Sequence, residues 1–310
     1  MKINKVGLVI FLVAVSLAMG SASAATVNVD SSMTNTQIQT AITNAAAGDT
    51  INFASGTYNG ISLTISKGVN MVGNGATLVG SGSKIMTITG TTGLNITGFN
   101  ININSNTTSG IYGSSVISCK IENNNITNGG DAINIFQLYK DLTINNNHIT
   151  NMVNSHGDAI SIVNHDANLE TATTSRITNN VIDNAIYGIF IGGNFNGTVT
   201  GNSITNTQYG MNITGKHTAS LGSLNATISY NNVTGISMEN PNVVYLDMNN
   251  NIVGQLSNTG YSLNTTANNG VVYFAKNDDG YITVNDNTFN YPVSQIFKDA
   301  TDDASGNTGW

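Results

Sequence analysis

The sequence contains little of several residue types on which common protein classes depend. Among its 310 residues are 2 prolines, 1 cysteine and 1 arginine, and only 9% of the residues are charged. A single cysteine cannot form a disulfide within the chain, which excludes a disulfide-stabilised scaffold. The net charge is −7 and no stretch is basic, so we expect neither nucleic acid nor anionic membrane as a partner.

Asparagine takes the place of the missing charge, since 50 residues are Asn and 33 are Gly. The chain begins with Lys2 and Lys5, an apolar run over residues 6–19 and the small residues Ala22-Ser23-Ala24. This layout predicts a secretory signal peptide over residues 1–24 and a protein that is secreted or held at the cell surface. The apolar run is shorter than the roughly 20 residues of a membrane-spanning helix, so no span is expected after cleavage.

A short motif recurs along the chain, with Asn two places before an apolar residue. Two examples are Ile121-Glu-Asn-Asn-Asn-Ile126 and Ile177-Thr-Asn-Asn-Val-Ile182. The motif returns about every 22 residues, with insertions, which is the period of a stacked repeat architecture. The recurring asparagines are Asn124, Asn147, Asn180, Asn202, Asn231, Asn250 and Asn287.

These repeats predict an all-β fold, a single-stranded right-handed parallel β-helix (solenoid) over residues 49–298. Alternating β-branched residues with Gly and Asn between them favour short strands, whereas helical repeats need better helix formers. The recurring asparagines are expected to bend the chain at a corner in the left-handed backbone region. Stacked about 4.8 Å apart, their amides would also form an internal hydrogen-bonded ladder.

Each motif is followed by a second predicted strand, which begins with Asp or Tyr. The four strands are Asp131–Ile135, Asp158–Ile162, Tyr187–Ile191 and Tyr209–Ile213, and their alternate aliphatic residues are expected to point inward.

The two ends of the solenoid need covers. Residues 25–48 are predicted to form an N-terminal cap with a short capping helix over residues 36–47, in which Ile38, Ile42 and Ala45 share one face and Gly48 follows. The polar C-terminal tail, residues 299–310, either covers the other end or frays.

Four segments near the start of the chain, together with the Asn-rich repeats that follow, resemble the secreted right-handed parallel β-helix (pectin-lyase-like) proteins. These segments are Ile42–Ile51, Ser55–Tyr58, Ile65–Gly68 and Val72–Gly75. The Asn- and Thr-rich, Arg-poor composition is most similar to adhesin-like surface proteins of methanogenic archaea. The resemblance covers about residues 34–290. It implies the β-helix fold, but not an activity, because this fold supports lyases, hydrolases, epimerases and surface fibres.

The repeat alignment also provides candidate catalytic residues. Asp131 and Asp158 occupy equivalent places on neighbouring coils, about 5 Å apart, which is the carboxylate spacing of retaining glycoside hydrolysis. His156 lies two residues before Asp158, and Tyr187 and Tyr209 follow on the next coils as ligand-binding residues that could stack on sugar rings. The alternative interpretation is structural, with each Asp accepting a local backbone N–H at the start of a strand.

Other sites are not supported by the sequence. Gly157-Asp158-Ala159 resembles the polygalacturonase Gly-Asp-Asp motif but lacks its second Asp, and one arginine is too few to hold a polyuronate. The histidines His148, His156, His165 and His217 have no metal-binding spacing, so no metal and no cofactor are expected. Ca²⁺ remains an alternative at Asp278, Asp279 and Asp286, or at Asp302 and Asp303.

Two functions are compatible with these observations. The first is a secreted or cell-surface adhesin-like protein that is not catalytic and binds glycans or cell-envelope partners. The second is a carbohydrate-active enzyme, a glycoside hydrolase or lyase-like protein, that acts on a neutral polysaccharide through Asp131 and Asp158. Whether the two carboxylates line an open groove or are tied into turns distinguishes the two functions.

Overall fold

The computed structural model describes residues 23–80, 82–104, 109–154, 157–164, 174–214, 224–233, 236–239, 244–249, 252–253, 272–274, 281–285, 287–289 and 295–296. In these residues the chain is a parallel β-solenoid with one short helix, which confirms the predicted fold class. Almost all of the predicted signal peptide, Asn250 of the predicted ladder and the whole C-terminal tail lie outside the described residues. Within the described part of the chain, no helix has the length and hydrophobicity to cross a bilayer.

The helix, α1, runs from Asn35 to Asn44 and closes the N-terminal end of the solenoid. Thr34 caps it, since the backbone N–H of Gln37 donates to the Thr34 hydroxyl (3.3 Å) and the Gln37 side chain accepts from the Thr34 N–H (2.8 Å). Ile38 and Ile42 are buried, as the predicted capping face requires. The helix ends before the predicted residue 47 because Ala45 has an extended backbone.

The strands are short and follow one another closely. The first fifteen are β1 (Thr26–Val29), β2 (Thr50–Phe53), β3 (Thr57–Ile61), β4 (Leu63–Ile65), β5 (Asn70–Val72), β6 (Thr77–Gly80), β7 (Lys84–Thr92), β8 (Asn95–Thr97), β9 (Asn100–Asn102), β10 (Ser109–Ile117), β11 (Lys120–Glu122), β12 (Asn125–Gly129), β13 (Ile133–Lys140), β14 (Thr143–Asn145) and β15 (His148–Met152). The others are β16 (Asp158–Asn164), β17 (Ser175–Thr178), β18 (Val181–Gly193), β19 (Phe195–Thr200), β20 (Ser203–Thr214), β21 (Leu224–Ser229), β22 (Asn232–Val233), β23 (Ile236–Glu239), β24 (Val244–Asn249), β25 (Ile252–Val253), β26 (Val272–Phe274), β27 (Tyr281–Asn285), β28 (Thr288–Phe289) and β29 (Gln295–Ile296).

Each coil contributes a strand to three faces, and every described strand pairing is parallel. The first face is an 11-stranded sheet that contains β1, β2, β5, β8, β11, β14, β17, β19, β21, β24 and β27. The second face passes through β12, β15 and the first half of β18, and the third through β13, β16 and the second half of β18. The long strands β18 and β20 each cover both of these faces, so the structure joins them into one 18-stranded sheet.

The interior is filled by aliphatic columns that the register builds from equivalent residues. Ile133 lies opposite Ile160, which lies opposite Ile189, and Ile189 lies opposite Met211. A parallel column contains Ile135, Ile162, Ile191 and Ile213. All eight side chains are buried, which confirms the predicted inward positions of the second strands.

The predicted asparagine ladder is present between the first and second faces. The Asn124 amide donates to Asn147 Oδ1 (3.1 Å), and Asn147, Asn180 and Asn202 donate in the same way to the next asparagine at 3.0, 2.9 and 2.9 Å. Each oxygen also accepts the backbone N–H of the preceding asparagine, as from Asn147 to Asn180 Oδ1 at 3.0 Å. Each amide nitrogen donates a second bond to a strand carbonyl, so both ends of the side chain are satisfied.

The prediction that the ladder asparagines themselves adopt the left-handed backbone at this corner was wrong. The ladder asparagines that the structure describes do not have a positive φ. The left-handed residue is the one before each of them, namely Asn123, Asn146, Asn179, Gly201 and Tyr230, with φ between 53° and 70°. The ladder position therefore selects asparagine for its hydrogen bonds, whereas the preceding position selects residues that tolerate the left-handed backbone.

Candidate functional site

Asp131 and Asp158 lie next to each other where the chain enters the third face. Asp158 is the first residue of β16, and Asp131 precedes β13 by two residues. The backbone N–H of Ala132 donates to the Asp158 carbonyl (2.9 Å), which fixes the two coils side by side at this point. Since neighbouring parallel strands are about 4.8 Å apart, the two carboxyl groups occupy adjacent rungs.

Gly157 determines how β16 begins. Its φ is +66°, and a Cβ atom here would lie 2.7 Å from both the Met152 carbonyl oxygen and Ile186 Cγ1. The Gly157 carbonyl accepts the backbone N–H groups of Ile186 and Tyr187. Only glycine fits this turn without displacing its neighbours, so Gly157 fixes the position from which the Asp158 side chain projects.

The Asp131 carboxylate is held by two donors. The Asn134 amide donates to Oδ2 at 3.0 Å, and the Asp158 backbone N–H makes a long contact of 3.5 Å with Oδ1. The backbone donor belongs to the neighbouring coil rather than to a local turn. The Asp131 carboxylate therefore connects β13 of its own coil, through Asn134, with the start of β16 on the next coil.

Both carboxyl groups line a surface groove with a volume of about 310 Å³. Its described lining contains two acidic residues and no basic one. The groove is lined by Asp131, Asn134, Phe136, Asp158, Ser161, Val163, Tyr187 and Phe190. The groove combines apolar and hydrogen-bonding surface, as sites for small polar ligands and sugars do.

The surroundings of Asp158 oppose its ionisation. Burial and then the negative charge of Asp131 raise the pKa of Asp158 to about 7, while a hydrogen bond with Ser161 acts in the opposite direction. Asp158 is still partly exposed to the groove. Two neighbouring carboxyl groups, one of which keeps its proton up to about pH 7, form an arrangement suited to acid–base chemistry.

Tyr187 and Tyr209 stack on each other beside the acids. Their ring centroids are 4.5 Å apart and their planes differ by 9°, while Phe190 meets Tyr187 edge to face at 6.3 Å. Because the two tyrosines lie on neighbouring coils, the stack runs along the solenoid axis and covers one face of each ring. The sequence predicted that both rings would stack on sugars. In the structure Tyr187 forms an end wall of the groove next to Asp158, and Tyr209 packs against Tyr187.

Tyr187 is itself perturbed by this packing. Burial raises the pKa of its hydroxyl, and the neighbouring Tyr209 and Asp158 raise it further. The ring therefore stays neutral in the working pH range and contributes an apolar face and a hydroxyl to the groove.

The remaining predicted site residues lie elsewhere. His156, together with His165 and His217, is outside the described residues, and His148 is exposed on the second face. In the described ranges, no three or more His, Cys, Asp and Glu residues come together as a metal site requires. The five acidic residues proposed as Ca²⁺ ligands lie outside these ranges.

Sequence reasoning missed the second row of groove residues. Asn134 and Ser161 are three positions after the two acids, and the register places them opposite each other and in line with Phe190. The alternation of the second strand contained this signal, because the residues between the inward isoleucines must point outward.

No family model matches this sequence, and no curated protein matches it either. The solved structures similar to it include the catalytic unit of the thermostable GH87 α-1,3-glucanase from Streptomyces thermodiastaticus strain HF3-3. The TM-score is 0.54 and the identity 16%, and the match covers 94% of this chain and 70% of that chain. Alginate lyase from Paenibacillus sp. str. FPU-7 matches with a TM-score of 0.43 and 20% identity, over 91% of this chain and 94% of that chain.

At this level of identity the likeness to the glucanase establishes the fold alone. The resemblance to pectin-lyase-like parallel β-helix proteins is thereby confirmed at the level of architecture. The likeness to the glucanase does not support the predicted adhesin-like or archaeal character.

Proposed function

We propose that this protein is a carbohydrate-active enzyme that hydrolyses glycosidic bonds of a neutral polysaccharide in the groove at Asp131 and Asp158. This is the second of the two functions that the sequence allowed. The observation that carries the proposal is the pair of adjacent carboxyl groups in an open groove, where burial and the neighbouring acid raise the pKa of Asp158 to about 7. A purely structural pair would not need to face a groove.

The two acids have different roles in the proposed reaction. Asp158, protonated, donates its proton to the glycosidic oxygen as the bond to the leaving sugar breaks. The Asp131 carboxylate, held by Asn134, attacks the anomeric carbon and forms a glycosyl ester. Water then adds to that carbon while Asp158 accepts the water proton, which releases the sugar and restores both groups. The spacing of about 5 Å between neighbouring coils is that of a retaining hydrolase.

The charge of the groove supports a neutral substrate. Around the two acids the described lining holds no Lys or Arg, so a uronate at the bond to be cleaved would meet repulsion rather than a fixed cation. The Streptomyces glucanase of the same fold acts on a neutral glucan, which makes glucans the first class to test here.

The test is release of reducing ends from α-1,3-glucan, β-1,3-glucan, cellulose and xylan, with polygalacturonate and alginate as acidic comparisons. We expect activity on a neutral polymer only. Asp158→Asn and Asp131→Asn should each lower kcat at least about 100-fold, because the proton donor or the nucleophile is lost.

Asp141→Asn provides the matched control. Asp141 is a partly exposed acid that pairs with Arg176 at 3.9 Å, on the turn after β13 and outside the groove lining. Its replacement should leave the activity unchanged. Glycan binding without any hydrolysis would support the adhesin-like function instead, and hydrolysis that survives Asp158→Asn would disprove the assigned roles.

We further propose that the protein is exported, because residues 1–24 have the layout of a signal peptide. Fractionation of producing cells should find the protein in the medium or the envelope, with an N-terminus near Ala25. Recovery of the uncleaved chain from the cytoplasm would contradict this proposal.

A further inference from the structure

Tyr112 and Lys84 lie just beyond the N-terminal end of the groove, in the same two columns as the groove residues. The register places Tyr112 opposite Asn134, which lies opposite Ser161. Lys84 is on the coil before that of Tyr112, where it lies opposite Ser109 of β10. The two columns of residues that contain the acid pair and Asn134 therefore lead along the axis to Lys84 and Tyr112.

The two side chains form one unit. Lys84 Nζ lies 3.3 Å from the centroid of the Tyr112 ring, and both residues are partly exposed. The cation–π contact holds the ammonium group in a fixed place next to an aromatic ring. An aromatic ring offers a surface for the C–H groups of a sugar, and an ammonium group offers three hydrogen-bond donors to its hydroxyls.

The distance from this unit to the acids matches a bound glycan. Tyr112 lies two coils before Asp158, about 10 Å away along the axis, because each coil adds about 4.8 Å. One coil spacing is close to the length of one hexose unit in an extended chain. A glycan lying along the axis would thus place successive sugars over successive coils.

We propose that Tyr112 and Lys84 form a remote subsite for an uncharged hexose unit, so that the groove binds a glycan of several units along the solenoid axis. The subsite extends the proposed function, on which its substrate class depends. Tyr187 closes the groove on the opposite side of the acids, so the additional sugars bind on the side of Asp131. A disaccharide at the acids does not reach Tyr112, whereas a hexasaccharide does.

The experiment measures binding by calorimetry in the Asp158→Asn protein, so that hydrolysis does not consume the ligand. The probes are α-1,3-linked and β-1,4-linked glucose oligomers of two and six units. Adding Tyr112→Ala should weaken binding of a hexamer about tenfold and leave binding of the dimer unchanged. Tyr112→Phe should keep most of the hexamer affinity, because the ring remains.

Tyr230→Ala is the matched control, since Tyr230 is a tyrosine that is 66% exposed and precedes the ladder at a different corner. It should not change binding of either oligomer. Equal losses for dimer and hexamer, no loss for the hexamer, or no binding of any hexamer would each overturn the subsite. Hexamer binding that depends on Tyr112 without hydrolysis by the unmodified protein would retain the subsite and reject the enzyme. If Tyr112→Ala left the hydrolysis of long chains unchanged, the subsite would be rejected and the enzyme retained.

Discussion

Removal of one rung of the asparagine ladder tests whether these residues hold the solenoid together. Asn180 is fully buried at the middle of the ladder. Its oxygen accepts the backbone and the side-chain N–H of Asn147, both at 3.0 Å, and its nitrogen donates to the Ile144 carbonyl (3.0 Å) and to Asn202 Oδ1 (2.9 Å). Asn180→Ala removes all four bonds at once.

The cost follows from the groups left behind. Asn147 keeps bonds from its amide to the Ile121 carbonyl (2.9 Å) and the Asn145 carbonyl (3.2 Å), but its backbone N–H loses its acceptor. A buried donor without a partner costs about 1–3 kcal/mol, so the orphaned Asn147 N–H alone should destabilise the protein by about this amount. The free energy of unfolding of ordinary domains is about 5–15 kcal/mol, so the variant should lose a measurable part of its stability.

Urea unfolding followed by circular dichroism measures this loss as the change in midpoint multiplied by the slope of the transition. Asn125→Ala is the control, because Asn125 is exposed on β12 and its amide makes a single 3.3 Å bond to Asn100. We expect this control to change the free energy by no more than about 0.5 kcal/mol. If Asn180→Ala were no more destabilising than Asn125→Ala, the hydrogen-bond argument for the ladder would be wrong.

Three further predictions concern the candidate site. Hydrolysis should decline as the pH rises through about 7, the pKa of Asp158, because the proton donor is lost. In Asp158→Asn the residual rate should no longer decline over this pH range. If it still declined in that variant, another group would be responsible. The folded protein keeps the Asp158 proton up to about pH 7, whereas the unfolded chain releases it above about pH 4. The free energy of unfolding should therefore fall as the pH rises from about 4 to about 7, and it should fall more than in Asp158→Asn. Urea midpoints that change in parallel in the two proteins would contradict this. Gly157→Ala should lower the free energy of unfolding by about 1–3 kcal/mol, measured by urea unfolding, because of the left-handed φ and the 2.7 Å contacts. Gly75 is exposed, with φ +77° and nothing within 4 Å of an added Cβ, so Gly75→Ala measures the backbone cost without the contacts. Equal losses in the two variants would refute the steric argument.

The candidate site could be predicted only in part. The repeat alignment brought Asp131 and Asp158 to equivalent positions, and the structure places them side by side. Asn134 and Ser161 were not identified, although the alternation of their strands makes them face outward beside the acids. The equivalent places of Tyr187 and Tyr209 on neighbouring coils allow the two rings to stack, but the angle and distance between the rings depend on contacts between coils.

The sequence by itself determined the architecture, because the same local pattern of apolar residues and asparagines recurs in each coil. The apolar alternation selects the residues that point inward, and a buried amide in every turn can be satisfied only by another amide stacked on it. Those features are local or strictly periodic, and periodicity survives insertions such as the one between Asn147 and Asn180.

Only the tertiary structure decided the chemistry of the groove. The pKa of Asp158 depends on burial and on the distance to Asp131, which lies 27 residues earlier in the chain. The left-handed corner likewise falls one residue before the ladder because the stacked coils, and not the residue type, fix the backbone there. Registration, burial and charge proximity arise from contacts between distant residues, and no local pattern encodes their magnitude.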